Sequence, residues 1–215
     1  MTEIAIPRDA ATLILIRDSD DGPKVLMGQR GKAASFMPSK FVFPGGALDL
    51  ADRALSRGFD VNADCRPRLI NRSPDDIAPA ALALAAIRET WEETGLPLAH
   101  YDADAAAALK SDDKDWQSFF EAGLKPATDA LRFIFRAITP PSRHKRFDAR
   151  FFMATADVVK ADPDDLSRAS GESRRVPIDD DVLAAHREHA ARAIAEVVFQ
   201  GFPYHRECQL VPRHL

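Results

Sequence analysis

Three glutamates in the segment RETWEETGL, residues 88–96, have the spacing of a metal-binding carboxylate cluster. On a helix, with about 100° per residue, Glu89, Glu92 and Glu93 fall on one face within about one and a half turns. Carboxylates at a helix C-terminus oppose the helix dipole, and like charges four residues apart repel each other. Mg²⁺ or Mn²⁺ would offset both effects, because these hard cations prefer oxygen ligands and bridge to substrate phosphates. The alternative is a solvated charged face without a ligand.

A second candidate element is the glycine corner FPGG, residues 43–46, which ends the short strand-like run 41–43. Glycine allows the main chain to approach a ligand closely and to turn in conformations that a side chain resists. The stretch that follows, about 47–78, has mixed charge and several prolines. It is predicted to be an irregular insertion with one short helix, which separates the glycine corner from the glutamates.

The glutamates belong to the most clearly helical part of the chain. A helix is predicted over 73–94, and Gly95 is typical of the left-handed residue that ends a helix. Its core face carries Leu84, Ile87 and Trp91, opposite the acidic face. The helix would therefore pack on a sheet and present its glutamates at one edge of the core.

The remaining hydrophobic runs predict the frame around this helix. Strands are expected over 10–17, 25–30, 41–43, 130–139 and 151–157, and further helices over 112–125 and 179–199. The basic stretch 140–150 is expected to be a loop, and the alanine-rich stretch 102–110 is assigned to no element. Strands followed by helices interleaved with strands indicate one α/β or α+β domain with a mixed sheet over residues 1–215.

Composition excludes several classes of protein. The chain has 215 residues, of which 46% are hydrophobic, so it can build a core. Its net charge of −4 gives no reason to expect nucleic acid or an anionic membrane as a partner, and no run of residues is long enough to span a bilayer. The two cysteines, Cys65 and Cys208, have no metal-ligand spacing and indicate no disulfide framework, which favours a reducing cytoplasm.

RETWEETGL closely resembles the second half of the Nudix box, G-x5-E-x7-R-E-U-x-E-E-x-G-U with U apolar, and FPGG resembles its start with Gly46 as the first glycine. The matching positions in the second half are Arg88, Glu89, Glu92, Glu93, Gly95 and Leu96. Thr90 departs from the pattern at an apolar position. This resemblance implies a Nudix-type α/β/α sandwich with a mixed β-sheet.

The two halves are further apart than in a compact Nudix box. Gly46 lies 42 positions before Arg88, which implies an insertion of about 28 residues. The position eight before Arg88, a glutamate in the compact motif, is Ala80, so a secondary acid is expected to be missing. A Nudix subgroup that includes the peroxisomal coenzyme A diphosphatases of mammals shows the same split, and it also resembles this chain at residues 138–152.

The resemblance implies a role for each matching residue. Glu92 and Glu93 would be the main ligands of Mg²⁺ or Mn²⁺, and the carbonyl of Gly45 would add one more oxygen. Glu89 would be a further ligand, or would position or deprotonate the attacking water. Arg88 would orient the glutamates by salt bridges. The expected reaction is hydrolysis of the diphosphate linkage in a nucleoside diphosphate joined to another moiety.

The resemblance favours coenzyme A or acyl-coenzyme A as substrate, ahead of ADP-ribose, nucleotide sugars or dinucleotides. Arg30 occupies the place of an arginine that precedes FPGG in coenzyme A-cleaving Nudix proteins, although Ser35 and Ser39 depart from the fuller signature. Arg143 and Arg146 are candidates to hold a substrate phosphate, with a solvated basic loop as the alternative. Gly46 is expected to line the substrate site.

Further interpretations concern the class of function and residues outside the motif. A Nudix fold that only binds a nucleotide-like ligand and regulates a partner is a different class of function, and homodimerisation is compatible with either class. Glu172 is a candidate late acid from outside the motif. His186 and His189 lie three residues apart on the expected helix 179–199, where an exposed face is favoured over a metal pair. Hydrolysis of oxidised nucleoside triphosphates is disfavoured, because small enzymes of that kind have little use for a large insertion.

Overall fold

The computed structural model describes residues 4–17, 24–29, 41–71 and 77–161. The strands are β1 (Arg8–Arg17), β2 (Lys24–Val25), β3 (Gly28–Gln29), β4 (Phe41–Val42), β5 (Gly45–Ala47), β6 (Ala99–Tyr101), β7 (Leu124–Pro126), β8 (Arg132–Ile138) and β9 (Phe147–Thr155). The helices are α1 (Leu50–Leu55), α2 (Arg66–Ile70), α3 (Pro79–Thr94), α4 (Ala103–Ala108) and α5 (Lys114–Glu121). Short 3₁₀ turns lie at Ser56–Gly58, Thr128–Ala130 and Ala156–Val158.

The central sheet is mixed, as predicted. Its strand order is β2-β1-β9-β8, and β5 also pairs with β1. Strands β1 and β9 are parallel, whereas the β1–β2, β1–β5 and β8–β9 pairs are antiparallel. Two small ribbons, β3–β4 and β6–β7, lie outside this sheet. The glycine corner is therefore itself a short strand, which the sequence analysis did not anticipate.

Successive side chains along each strand point to opposite faces of the sheet, and both faces carry apolar residues. One face packs on α3 in the larger core, which includes Leu13 and Phe152. The other face carries a smaller cluster in which Phe135 stacks on Phe151 with ring centroids 4.3 Å apart. The helix expected over 179–199, which would supply a second helical layer, lies outside the described residues.

Helix α3 begins later than the predicted 73–94, because Pro79 defines its first turn. Ala78 has an extended ψ of 132°, which is the conformation favoured before proline. The helix ends as predicted at Gly95, which has the left-handed φ of 71°. The helix is buried on several sides: Ala81, Ala83, Ala85 and Ala86 are all fully buried.

Three other predicted elements are corrected by the structure. The helix expected over 112–125 is the shorter α5, because Gly123 adopts a φ of 72° and the next residues pair in β7. The alanine-rich stretch contains helix α4, where the Asp102 side chain accepts a hydrogen bond from Ala105 N at 3.0 Å. Strand β9 starts inside the predicted loop 140–150, because it pairs with β1 from Phe147 onward.

The insertion is more ordered than predicted. Over its described residues 47–71, the stretch predicted as 47–78 contains two helices, α1 and α2, with a 3₁₀ turn between them, in place of one short helix in an irregular stretch. Leu55 and Leu69 face the larger core, so both helices pack on the domain. In the described part of the chain, no helix combines the length and apolar character needed to cross a membrane.

Candidate functional site

Strand β5 pairs with β1 along one edge, and the main-chain groups of its other edge point toward α3. Leu13 N donates to Pro44 O at 2.9 Å, and Leu48 N donates to Asp9 O at 2.9 Å. In an antiparallel ladder hydrogen-bonded pairs alternate with pairs whose main-chain groups point outward. Gly45 pairs with β1 between these hydrogen-bonded positions, so its N–H and carbonyl point away from β1.

The outward edge of β5 contacts the acidic helix directly. Gly45 N donates to Glu93 Oε2 at 3.3 Å, and Arg88 Nη2 donates to the carbonyl of Ala47 at 3.1 Å. The Gly45 carbonyl lies on this same edge of the strand. The two ends of the insertion therefore lie close enough together that the glycine strand still contacts α3, as a split motif requires.

Both glycines are needed for this close approach. A Cβ on Gly45 would lie 2.5 Å from the carbonyl oxygen of Ala11, and its φ of 158° is one that side chains resist. A Cβ on Gly46 would instead lie 2.5 Å from Glu89 Oε2. Gly45 is thus required by the neighbouring strand, whereas Gly46 makes room for the carboxylate of the acidic helix.

Arg88 is held by a buried carboxylate that the sequence analysis missed. Asp52, on α1, is fully buried, and Arg88 is 3% exposed. Arg88 donates in a fork, from Nε to Asp52 Oδ1 at 3.0 Å and from Nη2 to Asp52 Oδ2 at 3.0 Å. Such bidentate pairs are strong and fix the plane of the guanidinium group.

The expectation of a missing acid is corrected by this contact. Counting back eight positions from Arg88 reaches Ala80, because that count stays within α3 and stops short of the insertion, which separates the acid position from Arg88. Counting six positions forward from Gly46 reaches Asp52, which is the acid position of the first half-motif with aspartate in place of glutamate. The first half of the motif is therefore longer than FPGG alone, and the insertion begins after Asp52.

The rest of the Arg88 guanidinium faces the glutamates. Arg88 Nη1 lies 3.1 Å from Glu89 Oε1 and 3.4 Å from Glu92 Oε2. Burial lowers the pKa of Arg88, but the hydrogen bond and charge of Asp52, with the charge of Glu89, outweigh it and raise the pKa overall. Arg88 therefore stays charged and links helix α1, the glycine strand and the acidic face.

Glu89 has a strongly raised pKa. Burial raises its pKa to about 7, with Arg88 opposing the shift and the charges of Glu93 and Glu92 adding to it. Burial also raises the pKa of Glu92, with the charge of Asp115 adding to it. A carboxyl group whose pKa lies near 7 is suited to accept a proton from water at neutral pH.

The donor chemistry of the cluster fits a hard divalent cation, although the side chains do not surround one position as they stand. Among the described residues, no group of three or more His, Cys, Asp or Glu side chains is arranged to hold a metal ion. Glu89 and Glu93 nevertheless both face the glycine strand, where the Gly45 carbonyl offers a further oxygen. Carboxylate and carbonyl oxygens are the ligands that Mg²⁺ and Mn²⁺ prefer.

None of the predicted substrate-binding arginines has a contact with the acidic cluster among the described residues. Arg143 is exposed in the loop between β8 and β9. Arg146 donates from Nε to Thr139 O at 3.0 Å and from Nη1 to Ala5 O at 2.6 Å, which ties that loop to the N-terminal segment. Arg30 lies outside the described residues, as do Glu172, His186, His189 and Cys208.

Comparisons with known proteins find Nudix hydrolases among curated sequences and solved structures. No protein-family model matches the chain. The curated Caenorhabditis elegans protein named "Putative nudix hydrolase 7" is 29% identical over 158 residues, which are 70% of this chain and 45% of that protein. The chain thus spans less than half the length of that relative.

A solved structure is similar over almost the whole chain. The crystal structure of a NUDIX hydrolase from Alicyclobacillus acidocaldarius superposes with a TM-score of 0.62 at 29% sequence identity, covering 91% of each chain. The crystal structure of a C. elegans Ap4A hydrolase is more distant, with a TM-score of 0.40 at 17% identity, covering 90% of this chain and 98% of that one. The first of these likenesses shows a Nudix fold of the α+β class.

Proposed function

We propose that this chain is a divalent-metal-dependent diphosphohydrolase of the Nudix hydrolase superfamily, a proposal that its fold and its similarities support. The observation that carries the proposal is the contact between the glycine strand and the acidic helix, where Gly45 N meets Glu93 Oε2 at 3.3 Å. Gly46 adds to it, because the absence of a side chain there makes room for Glu89. These are the parts that a metal-assisted attack on a diphosphate needs in one place.

In this proposal each residue of the cluster has one task. Glu92, Glu93 and the Gly45 carbonyl would hold Mg²⁺ or Mn²⁺, which, when bound, would neutralise charge on the phosphate oxygens and make a bound water more acidic. Glu89 orients the attacking water and accepts its proton, for which its raised pKa of about 7 is suited. The water oxygen forms a bond to one phosphorus while the bond to the bridging oxygen breaks, which leaves two phosphate products.

For the substrate we propose coenzyme A or acyl-coenzyme A, with ADP-ribose, nucleotide sugars and dinucleotides as alternatives. The split motif and the position of Arg30 support this choice through the resemblance to coenzyme A-cleaving Nudix proteins. Arg143 is exposed and therefore open to a substrate phosphate, whereas the two main-chain contacts of Arg146 favour a structural role.

A second candidate function is that of a catalytically silent Nudix protein that binds a nucleotide-like ligand. The observation that favours it is that the acidic side chains of the described residues do not converge on one metal position. Against it stands the complete set of Arg88 and the three glutamates, for which a pure binding protein has no chemical need.

The test is a product analysis with Mg²⁺ or Mn²⁺ and a panel of coenzyme A, acyl-coenzyme A, ADP-ribose, NADH, diadenosine polyphosphates and deoxynucleoside triphosphates. Release of 3′,5′-ADP and phosphopantetheine from coenzyme A is the expected result. Glu93→Gln should abolish turnover without unfolding the protein, whereas Glu121→Gln, at an exposed position on α5, should leave it unchanged. Tight binding of one compound without turnover of any would favour the silent protein.

A further inference from the structure

The buried indole of Trp116 reaches the ion pair behind the candidate site. Trp116 lies on α5, outside both halves of the split motif, and is fully buried. Its Nε1–H donates to Asp52 Oδ1 at 3.0 Å, across 64 positions of sequence. The same oxygen accepts from Arg88 Nε at 3.0 Å. Helix α5 therefore contacts the residue that holds Arg88.

Asp52 has its hydrogen-bonding capacity filled without water. Oδ1 accepts from Trp116 and from Arg88, and Oδ2 accepts from Arg88 Nη2 and from Asp49 N, each at 3.0 Å. A buried carboxylate keeps a single position when such donors fix both of its oxygens. Removing the indole donor leaves Oδ1 with Arg88 alone among these partners, so one of the four donors that fix the carboxylate is lost.

We propose that Trp116 is a positioning residue for the candidate site. Trp116 acts through Asp52 on the guanidinium of Arg88. This inference rests on the proposed function, because Arg88 matters to the reaction through Glu89 and Glu92, which lie 3.1 and 3.4 Å from its Nη1. The indole N–H fixes Asp52, and Asp52 fixes the plane from which Arg88 faces both glutamates. A shift of Arg88 would change the position of Glu89.

The indole ring and the indole N–H of Trp116 have separable tasks. The ring stacks on Phe120 at a centroid distance of 5.6 Å and meets Phe119 edge-on at 5.5 Å. Phenylalanine at position 116 keeps an aromatic ring in this cluster but removes the N–H. Phe120→Leu is the matched control, because it disturbs the same cluster without touching the hydrogen bond to Asp52.

A first test needs no substrate. The chain has two tryptophans, so a ¹⁵N spectrum shows two indole N–H signals, and Trp91→Phe assigns them. In Trp116→Phe the Nε–H signal of Arg88 should shift and exchange faster with solvent, whereas in Phe120→Leu it should stay in place. An Arg88 signal that is unchanged in Trp116→Phe overturns the proposal.

If Trp116→Phe does not fold, Asp52→Asn tests the same chain of contacts. The indole signal of Trp116 and the Nε signal of Arg88 should then move together. An indole signal that stays in place would show that Trp116 does not sense the carboxylate, and it would overturn the proposal.

A second test measures catalysis with coenzyme A and Mn²⁺, or with the compound of the panel that the wild-type protein hydrolyses best. Trp116→Phe should lower kcat about 10-fold with KM unchanged, at the lower end of what the loss of an outer partner of a metal site costs. Phe120→Leu should lower thermal stability but keep kcat. Equal kcat losses in both variants would assign Trp116 a packing role only. If the wild-type protein hydrolyses nothing, the proposed function fails, while the spectra still decide whether Trp116 positions Arg88.

Discussion

Arg88 is the residue through which the two halves of the split motif meet. Its guanidinium reaches Asp52 of the first half, the main chain of β5 at Ala47, and the glutamates of its own helix. A lysine cannot reproduce these contacts, because it carries a point charge without the planar fork. The chemistry of the glutamates therefore depends on a residue that is almost completely buried.

The glycine at position 46 gives a sharp test of the site at the level of single atoms. In Gly46→Ala the new Cβ would meet the end of the Glu89 side chain, which can rotate away without moving the main chain. We expect the fold and the melting temperature to change little, while activity falls at least 10-fold because Glu89 is displaced. Turnover and thermal melting measured on the same sample check this prediction.

Two other glycines serve as controls for that substitution. A Cβ on Gly58 would meet nothing within 4 Å, so Gly58→Ala should leave both stability and turnover unchanged. A Cβ on Gly45 would meet the main chain of β1, so Gly45→Ala should destabilise the fold itself. A Gly46→Ala enzyme with full activity would contradict the placement of Glu89 against the glycine strand.

The raised pKa of Glu89 predicts how stability depends on pH without metal. Burial raises this pKa from 4.5 to about 7, so the folded protein binds the proton more tightly than the unfolded chain. The stability that Glu89 contributes is therefore fully present below about pH 4.5 and is lost as pH rises through 7. In EDTA, Glu89→Gln should abolish this loss, which amounts to about 3 kcal/mol at 1.36 kcal/mol per pKa unit.

Urea unfolding of both proteins at pH 5, 6, 7 and 8 measures this difference. Glu121→Gln is the control, because Glu121 is exposed on α5 and its replacement should leave the wild-type profile unchanged. Parallel stability profiles for the wild-type protein and Glu89→Gln would show that Glu89 titrates as an ordinary surface glutamate.

At the scale of elements, the insertion is a fixed layer of the domain. On the α2 side, Cys65 Sγ accepts from Phe133 N at 3.2 Å, and Arg68 donates to the carbonyls of Phe133 and Ile134, each at 2.7 Å. The Arg68 guanidinium also lies 5.0 Å from the centre of the Phe133 ring. Immediately before the insertion, Asp52 on α1 pairs with Arg88. These anchors favour a support for the site over a movable lid.

The anchor at Arg68 can be tested within helix α2. Arg68→Ala removes two charge-assisted hydrogen bonds to the carbonyls of Phe133 and Ile134, where the pairing of β8 with β9 shifts register. It should therefore lower the free energy of unfolding by about 1–2 kcal/mol. Arg66 on the same helix pairs with Asp60 at 2.6 Å, but both side chains are exposed, so Arg66→Ala should cost less than about 1 kcal/mol. If urea unfolding shows the same loss of stability in Arg68→Ala and Arg66→Ala, the conclusion that the insertion is fixed to the domain is wrong.

The elements also show which features the sequence could predict. The acidic face of α3 and its end at Gly95 follow from local rules of periodicity and capping, and both are present. The strand at Gly45–Ala47 could not be found this way, because it depends on pairing with β1 rather than on its own propensity. The early start of β9 at Phe147 has the same cause.

The candidate site divides in the same way. Arg88 and the glutamates could be identified from one contiguous segment, and Asp52 could have been found by counting forward from Gly46. The contact of Trp116 with Asp52 joins residues 64 positions apart and follows no repeating pattern, so only the folded arrangement reveals it.

At the scale of the whole molecule, the candidate site is assembled from four separate segments of the chain. Strand β5, helix α1, helix α3 and helix α5 each contribute a group that contacts Arg88, Asp52 or Glu93. A ligand that binds this arrangement therefore binds only the folded chain. By linkage, such a ligand must stabilise the entire domain.

Metal binding should for this reason raise the global stability of the protein. At a free Mn²⁺ concentration 100-fold above its dissociation constant, the free energy of unfolding should increase by about 2.7 kcal/mol over the value in EDTA. At one fixed Mn²⁺ concentration the increase should be larger at pH 8 than at pH 5, because a proton on Glu89 removes a negative charge beside the cation site and weakens binding. Glu93→Gln should remove most of the increase, while Glu121→Gln should retain it. Stabilisation of equal size in both variants would mean that Mn²⁺ binds elsewhere, and the assignment of the acidic helix as the metal site would then be wrong.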